Sequence, residues 1–285
     1  MLKKGDKIGI IVLSNGIDKN KKEQVKQLIV EIKNLGLIPI LGDYIYSEEN
    51  HCLLTAQKKA KVLMGFYKNN NIKAVFDISG GDLANEILPF IDFEIIKNNY
   101  KPFFGYSDLT TIINAIYSNT KKPCYLYQIK NIVLDNKEKQ ILCFNESFFN
   151  GKDDIFKFDY EFLRGDSMKG VVIGGNISCF LKLAGTGYIP DFKDKILFLE
   201  SRSGKSPLMI SFFNQLKQMN VFEDIRGIIL GTFTQMEREN SCPNVKEIAL
   251  DITKEYNIPI IKTNEIGHGS DSKCIVIGKE YNLSK

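Results

Sequence analysis

Three short segments, far apart in the chain, carry the side chains that a serine hydrolase needs. They are Phe103-Phe104-Gly105-Tyr106-Ser107-Asp108, Ile196-Leu197-Phe198-Leu199-Glu200 and Ile266-Gly267-His268-Gly269. A hydroxyl, a carboxylate and an imidazole thus follow one another along the chain, each where a strand should end. Together they could activate a serine for attack on an acyl group. Because the chain has only 2 histidines, few positions are open to a general base.

Ser107 lies between a short apolar run and a segment whose apolar residues have helical spacing. This pattern predicts a tight turn from a strand into a helix. On such a turn the hydroxyl would project from the sheet edge, and the backbone N–H of Asp108 would point at a developing oxyanion. The alternative is that Ser107 or Asp108 simply caps the helix. The segment alone leaves both interpretations open.

The paired glycines Gly80-Gly81 follow a predicted strand, Ala74–Ile78. Glycine permits backbone angles that other residues resist, and it lets the chain approach a ligand closely. The Gly81 N–H could therefore be a second oxyanion donor. A plain turn is the alternative, and neither common glycine-rich phosphate-binding motif is present.

Glu200 and His268 are the candidate acid and base. A carboxylate at the end of a buried strand needs a cation or an imidazolium beside it. Arg202 or Lys205 could supply the cation as a structural pair, so this alternative stays open. The glycines around His268 predict an exposed, sharply turning loop, from which the imidazole could accept a proton. His51, in polar and acidic surroundings, is expected to be an ordinary surface residue.

The composition excludes several classes of protein. With 285 residues, 44% hydrophobic and 25% charged, the chain should form two globular domains of ordinary size. Its net charge of +4 comes from scattered lysines, so nucleic acid is not an expected partner. We find neither a signal peptide nor a membrane span, and we expect a cytoplasmic protein. The 6 scattered cysteines are expected to be mostly buried, without disulfides or a metal site, and no cofactor is expected.

The order of predicted elements indicates an α/β fold. Over residues 1–130, β-branched runs alternate with amphipathic stretches, which predicts a parallel sheet covered by helices. Ligands bind beyond the carboxyl ends of the strands in such sheets, where Gly80-Gly81 and Ser107 fall. Residues 131–168 break this alternation and are interpreted as a connection between domains. Residues 169–285 are predicted to form the second domain, with strands from Gly170, Lys195, Gly227, Pro259 and Cys274.

With these residues in view, the chain resembles the LD-carboxypeptidase family of serine peptidases. This family includes muramoyl-tetrapeptide carboxypeptidases of peptidoglycan recycling and the microcin C self-immunity proteins. The segments that carry the resemblance are, in chain order, Gly5 to Ile10, Gly80-Gly81, Leu88 to Asp92, Lys101 to Asp108, Gly174 to Ser178, Leu183 to Thr186, Pro190 to Phe192, Ile196 to Glu200 and Gly267-His268-Gly269. Each is weak alone, but so many in this order are specific.

The resemblance implies a function, an architecture and a site. Ser107 would be the nucleophile, Glu200 the acid and His268 the base, with the N–H groups of Gly81 and Asp108 forming the oxyanion hole. The site would lie between a Rossmann-like N-terminal domain and a smaller, β-rich α/β C-terminal domain. A homodimer is also implied. The reaction would remove the terminal D-alanine from a murein tetrapeptide, without a metal.

Two alternatives remain from the sequence. One is an immunity-type hydrolase that cleaves the amide of an aminoacyl-nucleotide antibiotic. Recycling enzymes usually have arginine before the paired glycines, where this chain has Ser79, and Asn85 is more like the immunity-protein branch. The absence of tryptophan and the short stretch between Ser107 and Gly174 favour the recycling enzymes. The second alternative is a small-ligand binding protein without catalysis. The residues that bind a substrate carboxylate are not identified, and Arg202 and Arg238 are the two candidates.

Overall fold

The protein is described by a computed structural model that covers residues 2–46 and 54–285. The strands of the structure are β1 Lys7–Ile11, β2 Ile38–Leu41, β3 Ile72–Asp77, β4 Phe103–Gly105, β5 Cys124–Leu126, β6 Glu161–Arg164, β7 Ser167–Asn176, β8 Lys195–Ser201, β9 Gly227–Phe233, β10 Ile260–Lys262, β11 Ile275–Ile277 and β12 Glu280–Ser284. The α-helices are α1 Lys22–Asn34, α2 Leu54–Lys68, α3 Phe93–Asn98, α4 Thr110–Thr120, α5 Lys137–Phe148, α6 Ile177–Leu181, α7 Ser206–Gln218, α8 Val221–Asp224, α9 Thr234–Arg238 and α10 Val245–Ile252. Short 3₁₀ turns cover Lys19–Lys21, Ala84–Phe90, Ser107–Leu109 and Ile129–Val133.

The strands form two sheets, each with a parallel centre. The first has the order β11-β5-β4-β3-β1-β2, and the second has the order β12-β7-β8-β9-β10-β6. Strands β1 to β5 run parallel, as do β7 to β10, while β11, β12 and β6 are antiparallel edge strands. Both units are therefore α/β, and the predicted fold class is confirmed.

Helix α1 shows how the sequence pattern builds the first unit. Its buried residues Val25, Leu28 and Ile32 recur at helical spacing and pack in the core around β1 and β3. The helix ends before Gly36, which adopts a positive φ of 86° that favours glycine. The chain then reverses directly into β2.

Helix α4 lies where the two units meet. Nearly all of its residues are buried, and its core cluster includes residues of both sheets. The Asn114 side chain donates to the Gly174 carbonyl at 2.8 Å and accepts from the Gly174 N–H at 2.9 Å. The Thr110 hydroxyl accepts from the N–H of Asn176 at 3.0 Å. These bonds fix strand β7 against the helix that begins just after Ser107.

The connection between the units is more ordered than the sequence predicted. Residues 131–168 contain helix α5 and strand β6, where only a connection with room for a hairpin was expected. Helix α5 forms because Phe144 and Phe148 pack against the aromatic rings of the first sheet, including Phe104 at 5.4 Å from Phe148. The domain limits at 130 and 168 stay a prediction, since β11 returns to the first sheet and β6 pairs with β10.

The cysteines follow the expectation in part. The described cysteines are free, and most are shielded: Cys124, Cys179 and Cys274 are buried, Cys143 is half-buried and Cys242 is exposed. The predictions for His51 and Cys52 fall outside the described residues. Over the two described ranges, no helix has the length and apolar character that crossing a membrane requires.

Candidate active site

Ser107 occupies a sharp turn between β4 and α4. Its φ is +58°, in the left-handed region that residues other than glycine rarely adopt. Gly105 before it is closely packed, because an added Cβ would come within 2.7 Å of Leu109 Cβ. The N-cap residues of the 3₁₀ turn and of α4 are Tyr106 and Leu109, and among the described residues neither end has a side-chain cap, so the capping interpretation of Ser107 and Asp108 is wrong. The turn instead presents the half-buried Ser107 to a cavity.

Glu200 is buried and bonded to His268. Its Oε2 lies 2.6 Å from His268 Nδ1, and its Oε1 accepts from Asn176 Nδ2 at 3.0 Å. Asn176 and Glu200 are direct partners across the parallel strands β7 and β8. The alternative pairing with Arg202 or Lys205 is wrong, since the described partner of the Glu200 carboxylate in an ion pair is His268, and Lys205 pairs with Glu239 at 2.9 Å.

The sequence did not assign a role to Asn176. Its Oδ1 accepts from the Cys179 N–H at 3.3 Å and from the Ser178 hydroxyl at 2.8 Å, which caps α6. These bonds fix which end of the amide faces Glu200, so Asn176 donates there. The Asn-x-Ser spacing ahead of a helix was the only available signal for the cap, and the contact with Glu200 depends on strand register.

His268 is oriented by its loop and by its neighbours. The side chain is only 11% exposed, so the imidazole is more buried than the predicted exposed loop implied. Gly267 packs so tightly that an added Cβ would lie 1.6 Å from Thr232 Oγ1. The rings of Tyr106 and His268 pack edge to face, with their centroids 5.1 Å apart. Because a carboxylate only accepts hydrogen bonds, Nδ1 carries a proton in this pair, and in the neutral ring Nε2 would then be the acceptor.

Ser107 and His268 line one cavity of about 600 Å³, a size usual for small-ligand sites. Gly80, Gly81 and Tyr106 lie in the same wall. Among the residues that the structure describes, the buried Nε2 of His268 has no hydrogen-bond partner, so no bond to Ser107 is formed. Catalytic hydrogen bonds are often long or absent without substrate. The structure therefore brings the hydroxyl and the ring to one cavity but does not join them.

The two predicted oxyanion segments are fastened together by the Asp108 carboxylate. This fully buried group accepts from the Ser14 hydroxyl at 2.6 Å and from the Ala84 N–H at 2.8 Å. Lys182 Nζ donates to Asp108 Oδ1 at 2.6 Å and to the Asp82 carbonyl at 2.8 Å. Sequence reasoning considered the Asp108 side chain only as a possible helix cap. Its side chain links the Ser107 turn, the Gly81 loop and the second unit.

Gly81 has no room for a side chain. Its φ is +133°, and an added Cβ would lie 2.3 Å from Asn15 Cγ. Asn15 Oδ1 accepts from the N–H of Asp82 at 3.0 Å, which fixes the loop beyond the glycine. The loop borders the cavity as a close-packed backbone segment, as a backbone donor to substrate requires.

Three cations line the same cavity, and they are Lys21, Lys130 and Arg202. Burial lowers the pKa of the Lys130 ammonium, and this effect is partly offset by the nearby carboxylate of Asp77. Burial also raises the pKa of Asp77 to about 6, although the backbone N–H groups of Leu13 and Ser79 and the Ser79 hydroxyl donate to its oxygens. Of the two arginines singled out by the sequence, Arg202 reaches the cavity. Arg238 pairs with Glu239 at 3.2 Å and is absent from the lining.

Within residues 2–46 and 54–285, no group of three or more histidine, cysteine or acidic side chains is placed to hold a metal ion. The polar residues that line the cavity include Ser107, His268 and the three cations.

Comparison with known proteins places the chain in a family. The model of the LD-carboxypeptidase N-terminal domain matches residues 8–127, and the model of the C-terminal domain matches residues 169–283. The fold and the site define a serine carboxypeptidase-like enzyme. The chain belongs to the LD-carboxypeptidase family, which confirms the resemblance seen in the sequence.

Individual relatives span nearly the whole chain. A Bacillus subtilis protein named "Probable murein peptide carboxypeptidase" is 26% identical over 97% of this chain and 88% of its own length. The Microcin C7 self-immunity protein MccF of Escherichia coli is 22% identical over 96% of this chain and 89% of its own length. The solved structure of MccF with glutamyl sulfamoyl guanosine has a TM-score of 0.87 at 19% identity, covering 99% of this chain and 94% of that one. At that identity the likeness shows the fold alone.

Proposed function

We propose that the protein is a serine LD-carboxypeptidase that removes the terminal D-alanine from murein tetrapeptides. The observation that carries the proposal is the Glu200–His268 pair at 2.6 Å, because His268 lines the same cavity as Ser107. The bond between a buried carboxylate and Nδ1 would be stable without a serine at the same cavity. The presence of Ser107 there therefore favours a catalytic role over a purely structural one. The strained backbone of Ser107 is a second, independent mark of a functional position.

In the proposed reaction, Ser107 Oγ attacks the carbonyl carbon of the amide that joins an L-centre to D-alanine. The hydroxyl proton moves to His268 Nε2, and Glu200 stabilises the imidazolium that forms. The N–H groups of Gly81 and Asp108 donate to the oxyanion. The C–N bond then breaks, His268 gives its proton to the leaving amine, and an ester on Ser107 remains.

Hydrolysis of the ester completes the cycle. D-alanine leaves, and a water molecule gives a proton to the neutral His268 as its oxygen attacks the ester carbonyl. The C–O bond to Ser107 breaks, the imidazolium returns the proton to Ser107 Oγ, and the shortened peptide leaves as an acid. Apart from this water molecule, the steps use the side chains and backbone donors already named.

A second substrate class has support of its own. The relative MccF is named as a microcin C7 self-immunity protein, and its structures hold aspartyl sulfamoyl adenosine and glutamyl sulfamoyl guanosine. The same serine chemistry would cleave the aminoacyl amide of such a compound. Family membership and the intact Glu200–His268 pair disfavour the alternative of a binding protein without catalysis.

The test is to incubate the purified protein with murein tetrapeptide and to measure D-alanine release by mass spectrometry. We expect the product to be the tripeptide, and we expect Ser107→Ala to lower the rate by at least about 1,000-fold. Ser118→Ala is the matched control, because Ser118 lies on α4 and bonds to the Ile189 carbonyl outside the cavity. Release at the wild-type rate by Ser107→Ala would refute the assignment of the nucleophile.

A parallel incubation with an aminoacyl sulfamoyl nucleoside separates the two substrate classes. Faster cleavage of the nucleoside than of the tetrapeptide would favour the immunity-type function. We also propose that the protein acts in the cytoplasm and forms a homodimer, as the family resemblance implies. Sedimentation equilibrium at micromolar concentration tests the dimer.

A further inference from the structure

The lining of the cavity includes cations that no acidic group neutralises in the described part of the chain. Lys21 ends the 3₁₀ turn before α1, Lys130 lies in the 3₁₀ turn after β5, and Arg202 follows β8. All three line the cavity. Among the described residues, none of them has a carboxylate within the 4.0 Å of an ion pair. We call these three residues the cationic subsite.

The pKa of Lys130 is affected by both of the other cations in this subsite. Burial lowers the pKa of its ammonium, and the positive charges of Lys21 and Arg202 lower it further. The three charges therefore lie close enough to repel one another. Lys130 is also the least exposed of the three, whereas the other two have exposed side chains. Holding a half-buried cation beside two others costs free energy unless an anion joins them.

The nearby carboxylates do not neutralise the subsite. Asp77 attracts Lys130, but it lies behind the wall of the cavity, and its oxygens already accept from the Leu13 and Ser79 N–H groups. Among the described residues of the lining, Asp18 is the one acidic side chain, and its Oδ1 accepts from the N–H of Asn20 at 2.8 Å. This lining thus holds three cations against one carboxylate.

From these observations we infer that Lys21, Lys130 and Arg202 form a subsite for the oxyanionic part of the substrate, with Lys130 as the residue that determines specificity. This inference rests on the proposed function, because the subsite shares its cavity with Ser107 and His268. The ligand chemistry is a carboxylate or a phosphate that can accept several charge-assisted hydrogen bonds. A murein tetrapeptide supplies carboxylates, and a nucleotide supplies a phosphate.

The test measures binding rather than turnover. In a Ser107→Ala background, the dissociation constants of murein tetrapeptide and of adenosine 5′-monophosphate are measured by calorimetry at about 50 and about 300 mM salt, which changes the screening of charges. Lys130→Met should weaken at least one ligand by roughly 10- to 100-fold. It should also reduce the salt dependence of that ligand's affinity. Lys33→Met is the matched control, since Lys33 is exposed on α1 outside the cavity. Arg202→Gln, on an exposed side chain, provides a second variant should Lys130→Met lower the melting temperature.

The outcomes are distinct. Loss of affinity for the tetrapeptide identifies peptide carboxylates as the anion, and loss for the nucleotide identifies a phosphate. The inference is overturned if Lys130→Met and Arg202→Gln both match Lys33→Met for both ligands, or if neither ligand binds in a salt-dependent manner. If binding depends on Lys130 but the wild-type protein does not cleave the tetrapeptide, the subsite would be supported and the proposed function would be refuted.

Discussion

Replacing Glu200 by glutamine probes the centre of the proposed mechanism, because both carboxylate oxygens have defined partners. Oε2 faces His268 Nδ1 at 2.6 Å, and Oε1 faces Asn176 Nδ2 at 3.0 Å. A glutamine offers one acceptor and one donor in place of two acceptors. Asn176 cannot turn its amide without losing the bonds from Cys179 and Ser178. It therefore continues to require an acceptor.

The hydrogen bonds decide which way the glutamine amide points. With its oxygen toward Asn176 and its NH₂ toward His268, every group is satisfied, provided that the ring moves its proton to Nε2. The reverse orientation places two donors face to face in a buried site, at a cost of about 1–3 kcal/mol. The first orientation should therefore prevail. His268 is then in the tautomer that cannot accept the Ser107 proton, and kcat should fall by roughly 10,000-fold, or about 5.5 kcal/mol.

Asn176→Asp supplies a matched rescue. The carboxylate introduced by this substitution would accept from the glutamine NH₂, so the glutamine oxygen would face Nδ1 and restore the tautomer. We expect the Glu200→Gln/Asn176→Asp double variant to recover roughly 10- to 100-fold of kcat over Glu200→Gln. Asn176→Asp alone should be impaired, because two buried carboxylates would adjoin and one would take up a proton.

The assays are kcat for D-alanine release and ¹⁵N NMR of the His268 ring, assigned with a His51→Ala variant, since the chain has 2 histidines. A kcat for Glu200→Gln within tenfold of the wild type would refute this reasoning. So would an Nδ1-protonated ring in that variant, or a double variant no faster than the single one.

Two further predictions concern the buried charges around the site. Lys182→Met removes the cation from the fully buried Asp108, so we expect a loss of about 3–5 kcal/mol in the free energy of unfolding, measured in urea. The Asp108→Asn/Lys182→Met double variant should recover most of it, and no recovery would contradict the pairing. For Asp77, burial raises the pKa from 3.8 to about 6. Between those pH values the folded protein holds a proton that the unfolded chain has released, so this residue's contribution to stability should fall as the pH rises. The fall should be at most about 3 kcal/mol, and Asp77→Asn should abolish it. Equal slopes of stability against pH for the wild type and Asp77→Asn would contradict the shift.

The helices and strands that could be predicted are those with a clear apolar pattern in their own sequence. Strand β8 and helix α4 have continuous or periodic apolar runs, so their positions and types could be predicted, and so could the turn that carries Ser107. Strands β5 and β12 were missed, because each is short and owes its pairing to a distant partner, β4 or β7. Helix α5 did have a signal, since Ile141, Phe144 and Phe148 lie at helical spacing, but the polar start of the segment outweighed it.

The residues of the candidate site also fall into those that the local sequence predicts and those that it does not. Ser107, Glu200 and His268 are marked by their local sequence, which includes strand ends and flanking glycines. The contacts of Asn176 and Lys182 depend on strand register and on packing between the two units, and no local pattern carries that information. The cationic subsite likewise combines residues from three separate loops. Its charges look scattered along the chain and become a cluster only after folding.

The most direct test of the account is a search for the covalent intermediate. Protein mixed with murein tetrapeptide is quenched in acid within milliseconds, and its intact mass and peptide map are measured. We predict a mass increase equal to the tetrapeptide acyl group without D-alanine, located on Ser107. We further predict that Ser107→Ala lacks the adduct and that His268→Ala forms it far more slowly. Release of D-alanine by the wild type without any adduct on Ser107, or with the adduct on another residue, would contradict the account.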